Sequence, residues 1–192
     1  FPTRRSSDLL VASLASCQTA PPAPPKPPPP TAPELVGEFR PGSGYLNGYL
    51  DRKQLPDSLA LLPAPPAAGS AEAAADLAAH RSTRALRDTP RWALANADDN
   101  LKFPKAAEVF GCALDLPISQ EATPHLTMLL RRSLTDAGLA TYRAKDQHKR
   151  TRPFVAFSEP TCTPAEEAML AKDGAYPSGH AAIGWAWALL MT

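Results

Sequence analysis

Two segments decide the fold: Lys145-Asp-Gln-His-Lys-Arg-Thr-Arg152-Pro153 and, after residues 154–176, Pro177-Ser178-Gly179-His180. Lysine and arginine are fixed cations able to hold non-bridging phosphate oxygens. Ser-Gly at the head of an apolar run offers the open backbone N–H groups of a helix N-terminus, a ready anion site. His180 adds a proton donor. Together the segments read as most of a phosphate-binding active site.

Counting sets the expected geometry. Lys145 and Arg152 are seven apart, so on one α-helix they share a face, roughly 10 Å apart in rise, and both can reach one oxyanion. Pro153 disfavours helical geometry at Arg152, so the helix is expected to end there with Arg152 turned inward. Ser178 is the natural N-cap of the run Ala181-Ala-Ile-Gly-Trp-Ala-Trp-Ala-Leu-Leu-Met191, which contains no proline.

Lys-x6-Arg-Pro followed by Pro-Ser-Gly-His resembles the first two of three signature motifs of the type 2 phosphatidic acid phosphatase and vanadium haloperoxidase superfamily. Gly44-Tyr-Leu, Leu55-Pro-Asp-Ser-Leu-Ala-Leu-Leu-Pro63, Thr123-Pro-His-Leu126, Thr161-Cys-Thr-Pro164 and Lys172-Asp-Gly-Ala-Tyr-Pro-Ser-Gly-His-Ala-Ala-Ile-Gly-Trp185 are similar to its class A bacterial non-specific acid phosphatases. The resemblance runs from about residue 44 to Thr192. It implies an all-α helical bundle and hydrolysis of small phosphomonoesters without a metal or other cofactor. It also implies that Lys145, Arg152, Ser178 and Gly179 bind the phosphate, while His180 is the catalytic acid that protonates the leaving group. An imidazole is charged in mildly acidic water, which suits an acid optimum. Ala175 and Ala181 stand where many relatives have Ser and Thr, a departure that removes no catalytic group.

The third family motif, Ser-Arg-x5-His-x3-Asp, supplies the nucleophilic histidine and is absent from these 192 residues. The expectation is therefore a bundle incomplete at its C-terminus, a phosphohistidine mechanism whose nucleophile lies beyond Thr192, and no turnover by the chain as given. A vanadate-dependent haloperoxidase and a non-catalytic phosphate-binding envelope lipoprotein are the alternatives. Vanadate-supported bromide oxidation distinguishes the first, and the sequence past residue 192 the second.

Composition agrees with a soluble helical domain. Alanine is abundant and aromatics make up 7% of the chain, favouring helix over sheet. A net charge of +1 gives no global reason to expect a nucleic-acid partner, and no run of 18 or more apolar residues exists to span a bilayer. Leu14-Ala15-Ser16-Cys17 closes a short apolar stretch and resembles a bacterial lipobox, with Cys17 as the lipidated residue. Phe1-Pro-Thr-Arg-Arg-Ser-Ser-Asp-Leu9 resembles translated adapter sequence, so Arg4 and Arg5 are not counted as a charged leader. The domains read as residues 1–17, a signal segment; 18–43, a Pro-rich linker; and 44–192, the phosphatase domain. The implied location is periplasmic, tethered to the outer membrane.

Caps and periodicity place the helices. Ser70 is expected to cap one from Ala71 to about Arg87, Thr89-Pro90 to start a shorter one, and Pro104 to precede another. From Thr123-Pro124, Leu126, Leu129, Leu130, Leu134 and Ala137 form an apolar stripe, with Arg131, Arg132, Thr135 and Asp136 facing away and Gly138 as a stop or kink. Leu139 to about Arg150 carries the first motif. Thr163-Pro-Ala-Glu166 has the capping-box pattern for a helix ending near Gly174. Trp185 and Trp187 read as core, His80 and His125 as ordinary helix residues, and His148 as a pocket-wall or solvent residue. Cys112 and Cys162 can pair with each other or with a cysteine elsewhere.

Overall fold

The computed structural model describes residues 26–192, and every element in it longer than a turn is a helix. In chain order these are α1 (Pro33–Val36), α2 (Ser58–Leu61), α3 (Ala71–Arg84), α4 (Pro90–Asp98), α5 (Lys105–Leu114), α6 (Pro124–Ala140), α7 (Tyr142–His148), α8 (Pro153–Phe157), α9 (Glu167–Leu170) and α10 (Gly179–Leu190). No strand forms among the described residues, where Glu38 and Leu46 make one isolated bridge. The fold is all-α. Cys17 and the rest of residues 1–25 lie outside the described residues.

Local chemistry explains the ends. Ser70 Oγ accepts the Ala73 N–H at 3.1 Å and starts α3. Proline opens α4, α6 and α8, where its missing N–H costs nothing. Asp115 and Lys149 close α5 and α7 in the left-handed conformation. The Thr163 capping box does not form. Thr161 instead donates its N–H and hydroxyl to the Glu167 carboxylate at 2.6 and 2.9 Å, and a 3-10 turn leads into the short α9.

The core lies where α10 crosses α6 and α5 packs beside them. Trp187 is 2% exposed. Its indole N–H donates to the Leu130 carbonyl at 3.1 Å, and the Phe103 and Phe110 rings meet it edge-on with centroids at 5.8 and 5.6 Å. Leu130, Leu134 and Ile183 complete the same cluster with Ala106, Ala107 and Ile118. Trp185, two positions along the same helix, is 70% exposed, contrary to the expectation that both tryptophans are core. A helix turns about 200° over two residues, so one helix in a single-sided packing cannot bury both.

Gly138 neither stops nor ends α6, which runs to Ala140. Ile183 Cδ1 lies 3.7 Å from where a Cβ at Gly138 would stand, an ordinary packing distance. The face of α6 expected to meet solvent is covered by residues 45–50. Thr135 donates to the Leu46 carbonyl at 2.7 Å and is buried. Arg132 donates to the carbonyls of Asn47 and Gly48 at 3.1 and 2.6 Å, and Asp136 accepts the Tyr49 and Leu50 N–H groups at 2.8 and 3.3 Å. These polar side chains satisfy the backbone of an irregular segment that has no helix or sheet to pair with. A Cβ at Gly48 would fall 1.9 Å from Asp136 Oδ1, so only glycine fits there without breaking this seam.

Cys112 and Cys162 are both free thiols. No helix among the described residues is long and apolar enough to cross a membrane.

Candidate active site

α7 stops at His148 because Lys149 turns left-handed at φ 45°, so Lys145 and Arg152 do not share a helix face as the spacing suggested. Arg152 is extended, as the following proline requires, and caps α8. The two cations converge by another route. Both turn to the loop ahead of α10, where Lys145 Nζ donates to the Gly174 carbonyl at 3.1 Å and Arg152 Nε to the Asp173 carbonyl at 3.1 Å. Their heads also meet at one carboxylate oxygen, Asp173 Oδ2, 3.7 Å from Lys145 Nζ and 3.2 Å from Arg152 Nη2.

Lys145 is only 4% exposed. Burial pushes its ammonium pKa down, and the nearby Asp173 carboxylate works against that fall. Its place is fixed from behind, where the Ala144 N–H donates to Ser58 Oγ at 3.1 Å and joins α7 to α2. Gly174 is what lets the loop come so close. A Cβ there would stand 2.9 Å from the Lys145 carbonyl oxygen and 3.0 Å from its Cγ. An ammonium has three N–H donors and a guanidinium five. After the bonds named here, Lys145 and Arg152 keep donors for a further oxyanion.

Ser178 caps α10 as expected, its Oγ accepting the Ala181 N–H at 3.2 Å, which leaves the hydroxyl proton free to donate. The Gly179 and His180 N–H groups belong to the first turn and have no acceptor within the helix. Nothing lies within 4 Å of where a Cβ at Gly179 would be, so the space over this helix end is open. Tyr176 anchors the loop between the two half-sites by donating its hydroxyl to the Pro63 carbonyl at 3.0 Å.

His180 is 49% exposed in its side chain and turns toward α4. Its Nε2 lies 3.1 Å from the Asp99 carbonyl and 3.7 Å from Asp99 Oδ1. A donor bond from Nε2 to that carbonyl fixes the ring orientation. The ring borders a groove of about 600 Å³ between α4, α5 and α10, where Leu94, Phe110, Ile183 and Trp187 supply apolar walls. Lys145 and Arg152 do not line this groove. The structure thus joins Lys145 to Arg152, and places Ser178, Gly179 and His180 together at the head of α10, with His180 aimed at the groove.

The other three histidines stand elsewhere. His80 Nε2 is 2.9 Å from the Glu159 carboxylate and its ring stacks on Phe157 at 5.0 Å. His125 is exposed at the head of α6. His148 has its Nε2 buried without a partner and its ring 6.0 Å from Tyr176, so it is packed against the loop ahead of α10 rather than free in solvent. Sequence reasoning missed Asp173 and Asp99. Asp173 sits inside a quoted motif next to Gly174, so its charge was a visible signal. Asp99 meets His180 from 81 residues away, and no local pattern announces that.

Comparison with known proteins now adds to the geometry. No protein-family model matches the chain. The chain is 42% identical over 145 residues to the non-specific acid phosphatase of Providencia stuartii, across 75% of this chain and 58% of that protein. It is 38% identical over 135 residues to the acid phosphatase of Zymomonas mobilis, across 70% and 51%. The non-specific acid phosphatase of Salmonella typhimurium is 36% identical over 132 residues, across 68% and 53%. The chain belongs to the bacterial class A acid phosphatase family. It spans about half the length of the class A acid phosphatases it matches.

Proposed function

We propose that the chain is part of an acid phosphatase that hydrolyses phosphomonoesters through a phosphohistidine intermediate. The observation that carries this reading is the convergence of Lys145 and Arg152, from separate helices, on a single oxyanion, Asp173 Oδ2, in the loop that leads to the capped N-terminus of α10. In the reaction, a histidine nitrogen attacks phosphorus as the ester P–O bond breaks, and His180 gives its proton to the departing oxygen. Water then attacks phosphorus and yields a proton to His180 while the P–N bond breaks, releasing inorganic phosphate. Lys145, Arg152, the Ser178 hydroxyl and the Gly179 N–H stabilise the equatorial oxygens by position and charge.

The proposal assigns none of the chain's other three histidines to the attack and gives the nucleophile to a Ser-Arg-x5-His-x3-Asp segment of a longer protein. The test is a chimera joining this chain to the C-terminal part of the Providencia relative. It is expected to hydrolyse phosphomonoesters at acid pH and to trap acid-labile phosphate on the added histidine, while the 192-residue chain alone turns nothing over. Comparable turnover by the chain alone would mean that the nucleophile is misassigned.

Leu14-Ala-Ser-Cys17 and the proline-rich stretch after it support a second part of the proposal, a periplasmic lipoprotein tethered at Cys17 to the outer membrane. Expressed behind an initiating methionine in a Gram-negative host, the protein is expected to take up labelled fatty acid, and Cys17→Ser is expected to take up none. Wild type recovered without label in the soluble periplasm overturns the anchor.

A further inference from the structure

We propose that Asp173 is a specificity-determining residue that sets the charge of the phosphate this cradle accepts, favouring the monoanion over the dianion. The inference rests on the phosphate-binding reading above. Lys145 Nζ and Arg152 Nη2, the two cations assigned to the ligand, already share Asp173 Oδ2 at 3.7 and 3.2 Å. The acid side chain is 32% exposed, so it is the solvent-accessible member of a cluster whose lysine is almost wholly enclosed.

The carboxylate is not alone in holding the cations in place. Lys145 also bonds to the Gly174 carbonyl and Arg152 Nε to the Asp173 carbonyl, both main-chain acceptors that survive a change of side chain at 173. Its effect is therefore on charge. With Asp173 ionised the three groups sum to one positive charge instead of two. A phosphomonoester loses its second proton near pH 6, so it is a monoanion in acid and a dianion above neutrality. Each unit of ligand charge meets the Asp173 repulsion once, so the penalty on a dianion, as a ratio of affinities, is the square of that on a monoanion.

Other titratable groups lie close by: Asp146 and Tyr142 on α7, with Arg40 of the N-terminal segment acting on Tyr142. Burial raises the Tyr142 pKa further above neutrality, so it stays uncharged across the range of interest. Asp146, Arg40 and His180 are common to wild type and variant.

The test titrates inorganic phosphate, and dimethyl phosphate with its single charge at every pH, into wild type and Asp173→Asn by calorimetry at pH 5 and pH 8 in low salt. Asn keeps the shape and an acceptor oxygen while removing the charge. The variant is expected to bind inorganic phosphate about threefold tighter at pH 5 and about tenfold tighter at pH 8, a partly exposed carboxylate being screened by solvent. Dimethyl phosphate is expected to gain the same threefold at both pH values. Weaker or unchanged binding of inorganic phosphate by the variant at pH 8 would overturn the proposal and make Asp173 a positioning residue. Equal gains for both ligands at pH 8 would overturn it too. Asp173→Ser, checked with Asn by thermal melting, carries the comparison if Asn does not fold; failure of both to fold makes the residue structural and ends the proposal. If no protein binds phosphate, or if Lys145→Ala leaves wild-type affinity unchanged, the cradle reading itself fails and takes this inference with it.

Discussion

His180→Asn, placed in the chimera with the C-terminal part of the Providencia relative, is expected to lose about a hundredfold or more of kcat/KM on an alkyl phosphate, the usual worth of a positioned proton donor. On a nitrophenyl phosphate, whose leaving group needs no proton, the expected loss is within about tenfold. Asn removes the proton donor and, being shorter than His, also gives up the Nε2 bond to the Asp99 carbonyl at 3.1 Å, a loss common to both substrates. The difference between substrates then reports proton transfer alone. Equal losses on both would show that His180 serves phosphate binding or the α4 contact instead.

Trp187→Ala is expected to cost about 3–5 kcal/mol, the range for truncating a large buried aromatic. For a domain of this size that corresponds to a fall in Tm of about 10 °C. The indole fills the space between Phe103, Phe110 and α6 and donates to the Leu130 carbonyl. Trp185→Ala, on the exposed side of the same helix, is expected to stay within about 0.5 kcal/mol. Urea unfolding of both variants measures this. Similar destabilisation by the two would mean that α10 packs on α6 through a different face.

Much of this was legible before any coordinates. Ser70, Pro90, Pro124 and Ser178 announce helix starts because capping and the N1 preference for proline are decided by the residue and its immediate neighbours. The order Lys145, Arg152, Ser178, Gly179, His180 announced the family, because those residue types carry their chemistry wherever the chain puts them. Local rules also failed in instructive places. The seven-residue spacing placed Lys145 and Arg152 on one helix, yet Lys149 ends α7 and the two cations meet at the loop of Asp173 and Gly174 instead. The polar face of α6 looked like a solvent face, yet it holds residues 45–50.

By itself, then, the sequence determined the helical class, most helix starts, the capped head of α10 and the set of groups that could hold a phosphate. Each depends on side chains within a turn or two of one another. Only the tertiary structure decided which tryptophan is core, that Gly174 is a point of close approach, that Asp99 holds His180 and that Asp173 lies between the two cations. These depend on atoms brought together from 21 to 81 residues apart, and packing at that range is fixed by the shape of the whole chain rather than by any local preference.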